Sequence, residues 1–177
     1  GVFIQMTGMS GAGKSTMTFK AADVLRDMGY KVEVIDGDEY REGLCKDLGF
    51  SKQDRNTNIR RLSFVGKVLS RNDVVCIMSA INPYDDVRKE VKANNSLAKT
   101  IYVKCDIDTL VKRDPKGLYA RALLPADDPN HIPNFTGISD PFEEPDDADL
   151  TIETNNMSID DSVDDLIRFV LENTGEV

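Results

Sequence analysis

The sequence predicts an α/β protein, a parallel sheet with helices on both faces, and two observations support this prediction. Short apolar stretches typical of buried strands alternate along the chain with longer stretches of helical periodicity. A glycine-rich turn lies directly between the first apolar stretch and the first helical one. In such folds, ligands gather at the carboxyl ends of the strands.

The elements follow from the spacing of apolar residues. Strands are predicted at 2–7, 31–35, 74–79, 100–105 and 150–153, and helices at about 14–28, 39–47, 53–71 and 163–171, with a further helix opened by Pro83. In the helix at 53–71 the core stripe leaves Arg55 and Asn58 on the polar side. Prolines interrupt residues 114–145, where apolar periodicity disappears, and we predict that this segment is a lid.

Composition limits the class of protein. The chain has 177 residues, 40% hydrophobic and 30% charged, which predicts one globular domain over residues 1–177. The net charge of −9 disfavours binding to a nucleic-acid polymer. The chain has no apolar run long enough for a membrane span and no signal sequence at its N-terminus, so we expect a cytoplasmic protein. The three cysteines form no C-x-x-C pair and are expected to be buried thiols.

The turn after the first strand carries a phosphate-binding motif. Its sequence, Gly8-Met9-Ser10-Gly11-Ala12-Gly13-Lys14-Ser15, fits G-x-x-x-x-G-K-[ST] and lies between a predicted strand and a predicted helix. The glycines let main-chain N–H groups approach phosphates, the lysine neutralises the β- and γ-phosphates, and the serine hydroxyl suits Mg²⁺. The predicted nucleotide-binding residues are Gly11, Ala12, Gly13, Lys14, Ser15 and Thr16.

A phosphate loop alone is compatible with a kinase, a guanine-nucleotide switch or a motor. No N-K-x-D or T-K-x-D sequence, which reads a guanine base, occurs in the chain. This absence weakens the interpretation as a switch. The other motifs in the chain distinguish between the remaining classes, a kinase and a motor.

Those motifs resemble the adenylylsulfate kinase family of P-loop kinases in order and spacing, and they span nearly the whole chain. They are Asp36-Gly37-Asp38-x-x-Arg41-x-Gly43-Leu44, Asp47-Leu48-Gly49-Phe50-Ser51, Asp54-Arg55, Asn58-Ile59-Arg60-Arg61, Pro83-Tyr84, Arg113-Asp114-Pro115-Lys116-Gly117-Leu118-Tyr119, Phe135-Thr136-Gly137-Ile138 and Asp140-Pro141-Phe142. The resemblance implies a P-loop nucleotide-kinase fold with a lid, and transfer of phosphate from ATP, with Mg²⁺, to the 3′-hydroxyl of adenosine 5′-phosphosulfate.

The resemblance also implies roles for individual residues. Asp38 would orient the acceptor hydroxyl, accept its proton and join Ser15 at the Mg²⁺ site. Lys14 and the lid residue Lys116 would complete the catalytic group by stabilising charge during transfer. The expected acceptor-binding residues are Asp38, Arg41, Phe50, Arg55, Asn58, Ile81, Asn82, Lys116 and Phe135.

Simpler interpretations stand beside these roles. Asp36 and Asp38 are also good helix N-caps. Phe50 could be a core residue, whereas Phe135 lies in a polar, proline-rich segment where core residues are scarce. Lys116 could be a solvated surface lysine. His131, the only histidine, is given no role.

The chain departs from the family in two places. Family members commonly carry, before the Pro-Tyr pair, a serine that is phosphorylated in some of them, and this chain has Asn82. The lid is also longer than expected, at residues 123–133. Both departures favour a second hypothesis, a kinase of the same family that phosphorylates another nucleotide such as cytidine diphosphoramidate. A third hypothesis is a non-catalytic nucleotide-binding regulator. Family members are often dimers, which makes a homodimer an expectation.

Overall fold

The computed structural model describes residues 1–174, so residues 175–177 of the predicted domain lie outside the described part. Its elements in chain order are β1 (Val2–Thr7), α1 (Lys14–Asp27), β2 (Val32–Asp36), α2 (Gly37–Glu42), α3 (Lys52–Ser70), β3 (Val75–Ser79), α4 (Asp85–Asn94), β4 (Ala98–Lys104), α5 (Ile107–Arg113), α6 (Leu118–Ala122), β5 (Leu150–Glu153) and α7 (Ile159–Asn173).

The five strands form one parallel sheet in the order β2-β3-β1-β4-β5, which confirms the predicted fold class. β1 lies in the middle, between β3 and β4. The register pairs Asp36 at the end of β2 with Ser79 at the end of β3. The carboxyl ends of these strands therefore meet at one edge of the sheet, the edge at which ligands bind in this type of fold.

The two faces of the sheet are covered by different helices. Val2, Ile4 and Met6 of β1 belong to an apolar cluster completed by α1 and α7. Phe3 belongs to a second cluster, on the opposite face, completed by α3 and α4. This alternation is expected because successive side chains of a strand point to opposite faces of the sheet.

Most predicted boundaries agree with the structure to within a few residues, and the strand at 150–153 agrees at both ends. α2 ends at Glu42 and is followed by turns, so the helical prediction for 39–47 was wrong in its second half. α5 was not predicted, and the lid at 114–145 contains the short helix α6. Asn58 was expected on the polar side of α3 but is buried.

The three cysteines are free and buried, as expected. Across residues 1–174, none of the helices has the length and apolar character that a membrane span requires.

Candidate active site

The phosphate loop, residues 8–13, joins the end of β1 to the start of α1. Gly11 and Gly13 adopt positive φ angles of 78° and 102°, a backbone region that glycine enters without steric cost. Gly13 ends the loop immediately before α1, so the N-terminus of a long helix points into it. Ala12 is fully buried, whereas Ser15 and Thr16 are exposed in the first turn of α1.

Lys14 lies within this loop. Its Nζ donates hydrogen bonds to the main-chain carbonyl oxygens of Gly8 and Met9, at 2.7 and 2.8 Å. Burial, and next the positive charge of Lys116, lower the pKa of Lys14 to about 7, while the carboxylates of Asp38 and Asp36 oppose this shift. The amine is thus poised to gain a proton when a polyanion enters the loop.

Three oxygen-bearing side chains meet beside the loop, from Ser15 in the first turn of α1, Asp36 at the end of β2 and Ser79 at the end of β3. The hydroxyl of Ser15 donates to Asp36 Oδ2 at 2.9 Å and lies 3.2 Å from the hydroxyl oxygen of Ser79. Asp36 is also the N-cap of α2, where it accepts from the main-chain N–H groups of Asp38 and Glu39. Capping therefore holds Asp36 beside Ser15.

Asp38, in the first turn of α2, faces the lid. Its carboxylate forms an ion pair with the Nζ of Lys116 at 2.5 Å, and both side chains are largely exposed. The first segment of the lid presents Lys116 in a turn whose geometry is fixed by Asp114, which accepts hydrogen bonds from the main-chain N–H groups of Tyr119 and Ala120. Lys116 is therefore a paired residue, and two of the three residues expected to be catalytic, Asp38 and Lys116, meet across the cleft.

The lid is also tied to the phosphate loop. The hydroxyl of Tyr119 donates to the main-chain carbonyl oxygen of Ser10 at 2.7 Å. The ring of Phe135 packs edge-on against the ring of Tyr119, with centroids 5.0 Å apart. Phe135 is 8% exposed and belongs to the apolar cluster of α1 and α7, so the expectation that core residues are scarce in the lid was wrong at this position. An aromatic neighbour on α6 makes this burial favourable.

Arg41 and Phe50 form the outer wall of the cleft. The guanidinium of Arg41 lies 4.4 Å from the centroid of the Phe50 ring and donates to the main-chain carbonyl oxygen of Gly49 at 3.0 Å. Phe50 is 62% exposed, which excludes the alternative that it is a core residue. An exposed ring under a guanidinium is a flat platform suited to stacking.

Arg55 links α3 to the lid. Its guanidinium donates to the main-chain carbonyl oxygen of Asn134 at 2.5 Å and to the hydroxyl of Thr136, and it lies 3.8 Å from a carboxylate oxygen of Asp140. Its Nε donates to the main-chain carbonyl oxygen of Phe50 at 2.9 Å. In this arrangement Arg55 fastens the lid rather than facing an open pocket.

The other expected acceptor residues lie in the same region. Asn58, one turn after Arg55 on α3, is buried, and its Oδ1 has no hydrogen-bond partner among residues 1–174. The turn after β3, residues 80–84, contains Ile81 and Asn82. We refer to it as the acceptor turn. Asn82 is buried with a φ of 47°, and its Nδ2 donates to Oε1 of Gln5 at 3.2 Å.

Two residues of this site were not predicted from the sequence. Asp36 was left out because its capping role explained it, although one carboxylate can cap a helix and accept from Ser15 at once. Ser79 ends an apolar strand, and a lone serine there carries no signal in the sequence. The parallel register that pairs Asp36 with Ser79 is the property that could have indicated both.

Comparisons with known proteins agree with these features. A profile described as adenylylsulphate kinase matches residues 1–153. An adenylyl-sulfate kinase of Chloroflexus aurantiacus is 44% identical over 167 residues, covering 94% of this chain and 87% of that protein. One from Rippkaea orientalis is 44% identical over 163 residues, covering 92% of this chain and 87% of that protein.

A solved structure is similarly close. The APS kinase of Mycobacterium tuberculosis, in complex with AMPPNP and APS, superposes with a TM-score of 0.88 at 34% sequence identity, covering 97% of this chain and 98% of that one. The family profile, the relatives and the superposed structure all indicate the family that the motifs resemble. This chain belongs to the adenylylsulphate kinase family.

Proposed function

We propose that this protein transfers the γ-phosphoryl group of ATP to the 3′-hydroxyl of adenosine 5′-phosphosulfate, which gives 3′-phosphoadenosine 5′-phosphosulfate and ADP in sulfate activation. One observation carries the proposal beyond family membership. Lys14 in the phosphate loop, Asp38 on α2 and Lys116 on the lid converge on a single cleft at the carboxyl edge of the sheet. A phosphoryl-transfer site needs such a group of two cations and one carboxylate.

On the donor side, the main-chain N–H groups at Gly11, Ala12 and Gly13 hold the phosphates of ATP at the N-terminus of α1. Lys14 moves its hydrogen bonds from the carbonyl oxygens of the loop to the β- and γ-phosphates, and the negative charge of the phosphates keeps the amine protonated. Thr16, exposed in the same turn, contacts the α-phosphate.

The residues beside the loop fit a magnesium ion. The hydroxyl of Ser15 and the carboxylate of Asp36 lie 2.9 Å apart with a second serine hydroxyl adjacent, and hard oxygen donors of this kind are those that Mg²⁺ prefers. Ser15 and Asp36 would hold the ion, and Asp38, in the first turn of α2, would join them from the acceptor side. A bound Mg²⁺ would offset the negative charge that develops during transfer.

On the acceptor side, Asp38 positions the 3′-hydroxyl and accepts its proton as the phosphorus–oxygen bond forms. This carboxylate is paired with Lys116, and the acceptor hydroxyl would take the place of Lys116 beside it. Displacement frees Lys116 to move toward the transferring phosphoryl group, where a cation stabilises the transition state. The ion pair thus keeps both groups in the cleft until the substrates arrive.

The remaining residues would bind the acceptor. Arg41 and Arg55 carry planar forks of donors suited to the phosphosulfate, and the exposed ring of Phe50 offers a surface on which the adenine can stack. Phe135 would form the second wall after the lid rearranges. Asn58, Ile81 and Asn82 would contact the nucleoside. Because Asn82 replaces a serine, transfer proceeds directly from ATP without a phosphoserine.

We place the reaction in the cytoplasm, with small-molecule nucleotides as the partners of the protein and a homodimer as its assembly. The buried position of Asn82 and the long lid support a second candidate acceptor, which is cytidine diphosphoramidate. The retained Lys14, Asp38 and Lys116 argue against a non-catalytic regulator, which would have no need of the full group.

The test is ADP release with ATP and Mg²⁺ in the presence of adenosine 5′-phosphosulfate, of cytidine diphosphoramidate or of neither. We expect fast release with the first compound, and release no faster than without an acceptor with the second. Turnover restricted to the cytidine compound would show that the acceptor is cytidine diphosphoramidate and not adenosine 5′-phosphosulfate. Tight ATP binding without acceptor-dependent release would favour the regulator.

A further inference from the structure

The guanidinium of Arg88 is buried behind the active site. Arg88 lies on α4, with a side chain that is 1% exposed, and its one carboxylate partner among the described residues is Asp85, at 3.2 Å. Its Nε has no hydrogen-bond partner in the same part of the chain. Burying a charged group is costly even when it is paired and hydrogen-bonded, and a well-packed apolar side chain often costs less. The position of Arg88 therefore needs a reason other than stability.

That reason is suggested by the groups that Arg88 contacts. Its Nη1 donates to the main-chain carbonyl oxygen of Asn82 at 2.8 Å and lies 3.3 Å from the hydroxyl oxygen of Thr7, the last residue before the phosphate loop. Its Nη2 donates to the main-chain carbonyl oxygen of Glu143 at 2.6 Å. One planar group thus touches the end of β1, the acceptor turn and the end of the lid.

The end of the lid, residues 140–143, is fixed at the same place by further bonds. The main-chain N–H of Glu143 donates to the carbonyl oxygen of Pro83 at 2.9 Å, and the Glu143 carboxylate accepts from the main-chain N–H of Asp85 at 2.7 Å. The hydroxyl of Tyr84 donates to Asp140 Oδ2 at 2.8 Å. Asp140 in turn faces Arg55, at 3.8 Å. The end of the lid therefore connects Arg88, which binds Glu143, with Arg55, which faces Asp140.

The acceptor turn is strained where Arg88 holds it. Asn82 has a φ of 47°, an uncommon conformation for a residue other than glycine. Its carbonyl oxygen accepts from both Arg88 and the Thr7 hydroxyl, which donates at 2.8 Å. Two donors on one carbonyl oxygen fix the orientation of that peptide group. The main chain of the turn is thereby held in one conformation relative to the phosphate loop.

We propose that Arg88 is a positioning residue for phosphoryl transfer, which sets the acceptor turn and the end of the lid at a fixed distance from the phosphate loop. The inference rests on the proposed function, because it assigns the turn and the lid to the acceptor. Loss of the guanidinium should displace the acceptor and leave the ATP site nearly unchanged, since Arg88 contacts no residue of the phosphate loop itself.

The experiment compares Arg88→Lys and Arg88→Met with Val91→Ala, a core substitution one turn later on α4. Lysine keeps the charge but cannot hold the two carbonyl oxygens with a planar fork. For both Arg88 variants we expect the KM for adenosine 5′-phosphosulfate to rise by about tenfold or more, and the KM for ATP to change by less than about threefold. Val91→Ala should lower the melting temperature and leave both KM values unchanged.

A further variant keeps the test decisive if the Arg88 proteins do not fold. Glu143→Ala leaves Arg88 in place and removes the carboxylate that binds the main-chain N–H of Asp85, so it should raise the acceptor KM by about threefold to tenfold. An unchanged acceptor KM in every folded variant would overturn the proposal. Equal changes in the KM values for ATP and acceptor would also overturn it, because they indicate general loosening. Failure of the wild-type protein to use adenosine 5′-phosphosulfate would instead count against the proposed function.

Discussion

At the scale of the residue, the site depends on a few side chains whose charges are arranged before any substrate binds. Asp38 and Lys116 neutralise each other across the cleft. Lys14 is buried among the carbonyl oxygens of its own loop. Ser15 is held by Asp36, which is in turn held by capping of α2. Each of these arrangements is one that ATP or its acceptor would replace with a stronger interaction.

Asp38→Asn tests the proposed proton acceptor. Asparagine keeps the shape of the side chain but cannot accept the proton of the acceptor hydroxyl, so we expect kcat to fall by about 100-fold or more. The melting temperature should shift by no more than about 2 °C, because the ion pair with Lys116 is exposed. Steady-state kinetics and thermal denaturation measure these quantities.

The matched control is Asp23→Asn, which removes one carboxylate of an exposed ion pair on α1, 3.2 Å from Arg26. It should leave kcat unchanged. Near-normal turnover in the Asp38→Asn protein would remove Asp38 from the catalytic group.

The lowered pKa of Lys14 predicts that the protein takes up a proton when it binds ATP. The pKa of Lys14 is lowered to about 7 in the free protein, mainly by burial, so above that pH the amine is largely neutral. The triphosphate favours the charged form and raises the pKa. At pH 8.5 we therefore expect uptake of about one proton per nucleotide, and at pH 6 none, because the amine is already charged. Calorimetry in buffers of different ionisation enthalpy measures this uptake.

Lys14→Arg serves as the control, since arginine stays protonated across this range. In that variant, uptake at pH 8.5 should disappear. Binding without proton uptake by the wild-type protein at pH 8.5 would show that Lys14 is charged before ATP arrives.

At the scale of the element, α3 has two roles, one toward the lid and one toward the sheet. Its first turns carry Arg55 toward the lid, and its later turns pack Ile59, Leu62 and Gly66 against the sheet. The lid packs against the apolar core through Tyr119, Ala122 and Phe135, and polar links of Arg55 to residues 134–140 hold its later part as well. Order in the lid and acceptor binding should therefore change together when those links are removed.

Arg55→Ala tests this coupling. Loss of the guanidinium frees the carbonyl oxygen of Asn134 and the hydroxyl of Thr136, so amide hydrogen exchange over residues 134–140 should accelerate by about tenfold. The KM for the acceptor should rise by about tenfold, with little change for ATP. Arg60→Ala is the control, since Arg60 lies on the same helix but pairs with Glu90. Unchanged exchange in the Arg55→Ala lid would contradict the link.

The Gly66→Ala substitution tests how closely α3 packs on the sheet. A Cβ at this position would lie 2.3 Å from the ring of Phe3, a fully buried residue of β1. Alanine favours a helix over glycine by about 1 kcal/mol, but overpacking a core costs about 1–3 kcal/mol. We expect Gly66→Ala to lower the melting temperature by about 2–8 °C.

Adding Phe3→Leu should recover part of that loss, because the smaller side chain makes room for the new methyl group. A melting temperature that rises in Gly66→Ala alone would show that the helix can move away from the sheet at no cost.

At the scale of the whole molecule, the sequence determines more of the fold than of the site. The alternation of apolar strands and amphipathic helices was enough to predict the parallel sheet, and the phosphate loop was placed to the residue. The prolines predicted a lid at residues 114–145, and the burial of Phe135 in that segment depends on a tertiary contact with Tyr119 of α6 that local sequence does not reveal.

The same limit applies to the active site. Asp36, Ser79 and Arg88 each look ordinary in the sequence, as a cap, a strand end and a helical charge. They become part of the site because parallel register and helix packing bring distant segments together. Arg55 shows the converse, since its type suggested a ligand-binding guanidinium and its hydrogen bonds hold the lid. The motifs therefore pointed to the residues that we propose contact substrate, and not to the residue that we propose positions them.

The most direct test of the central claim is to locate the phosphate in the product formed from ATP, Mg²⁺ and adenosine 5′-phosphosulfate. Phosphorus NMR and mass spectrometry of the purified product answer this question. We predict a single product that carries one added phosphate on the ribose 3′-oxygen, formed in equal amount with ADP. Unchanged adenosine 5′-phosphosulfate, or a phosphate at another position, would contradict the account.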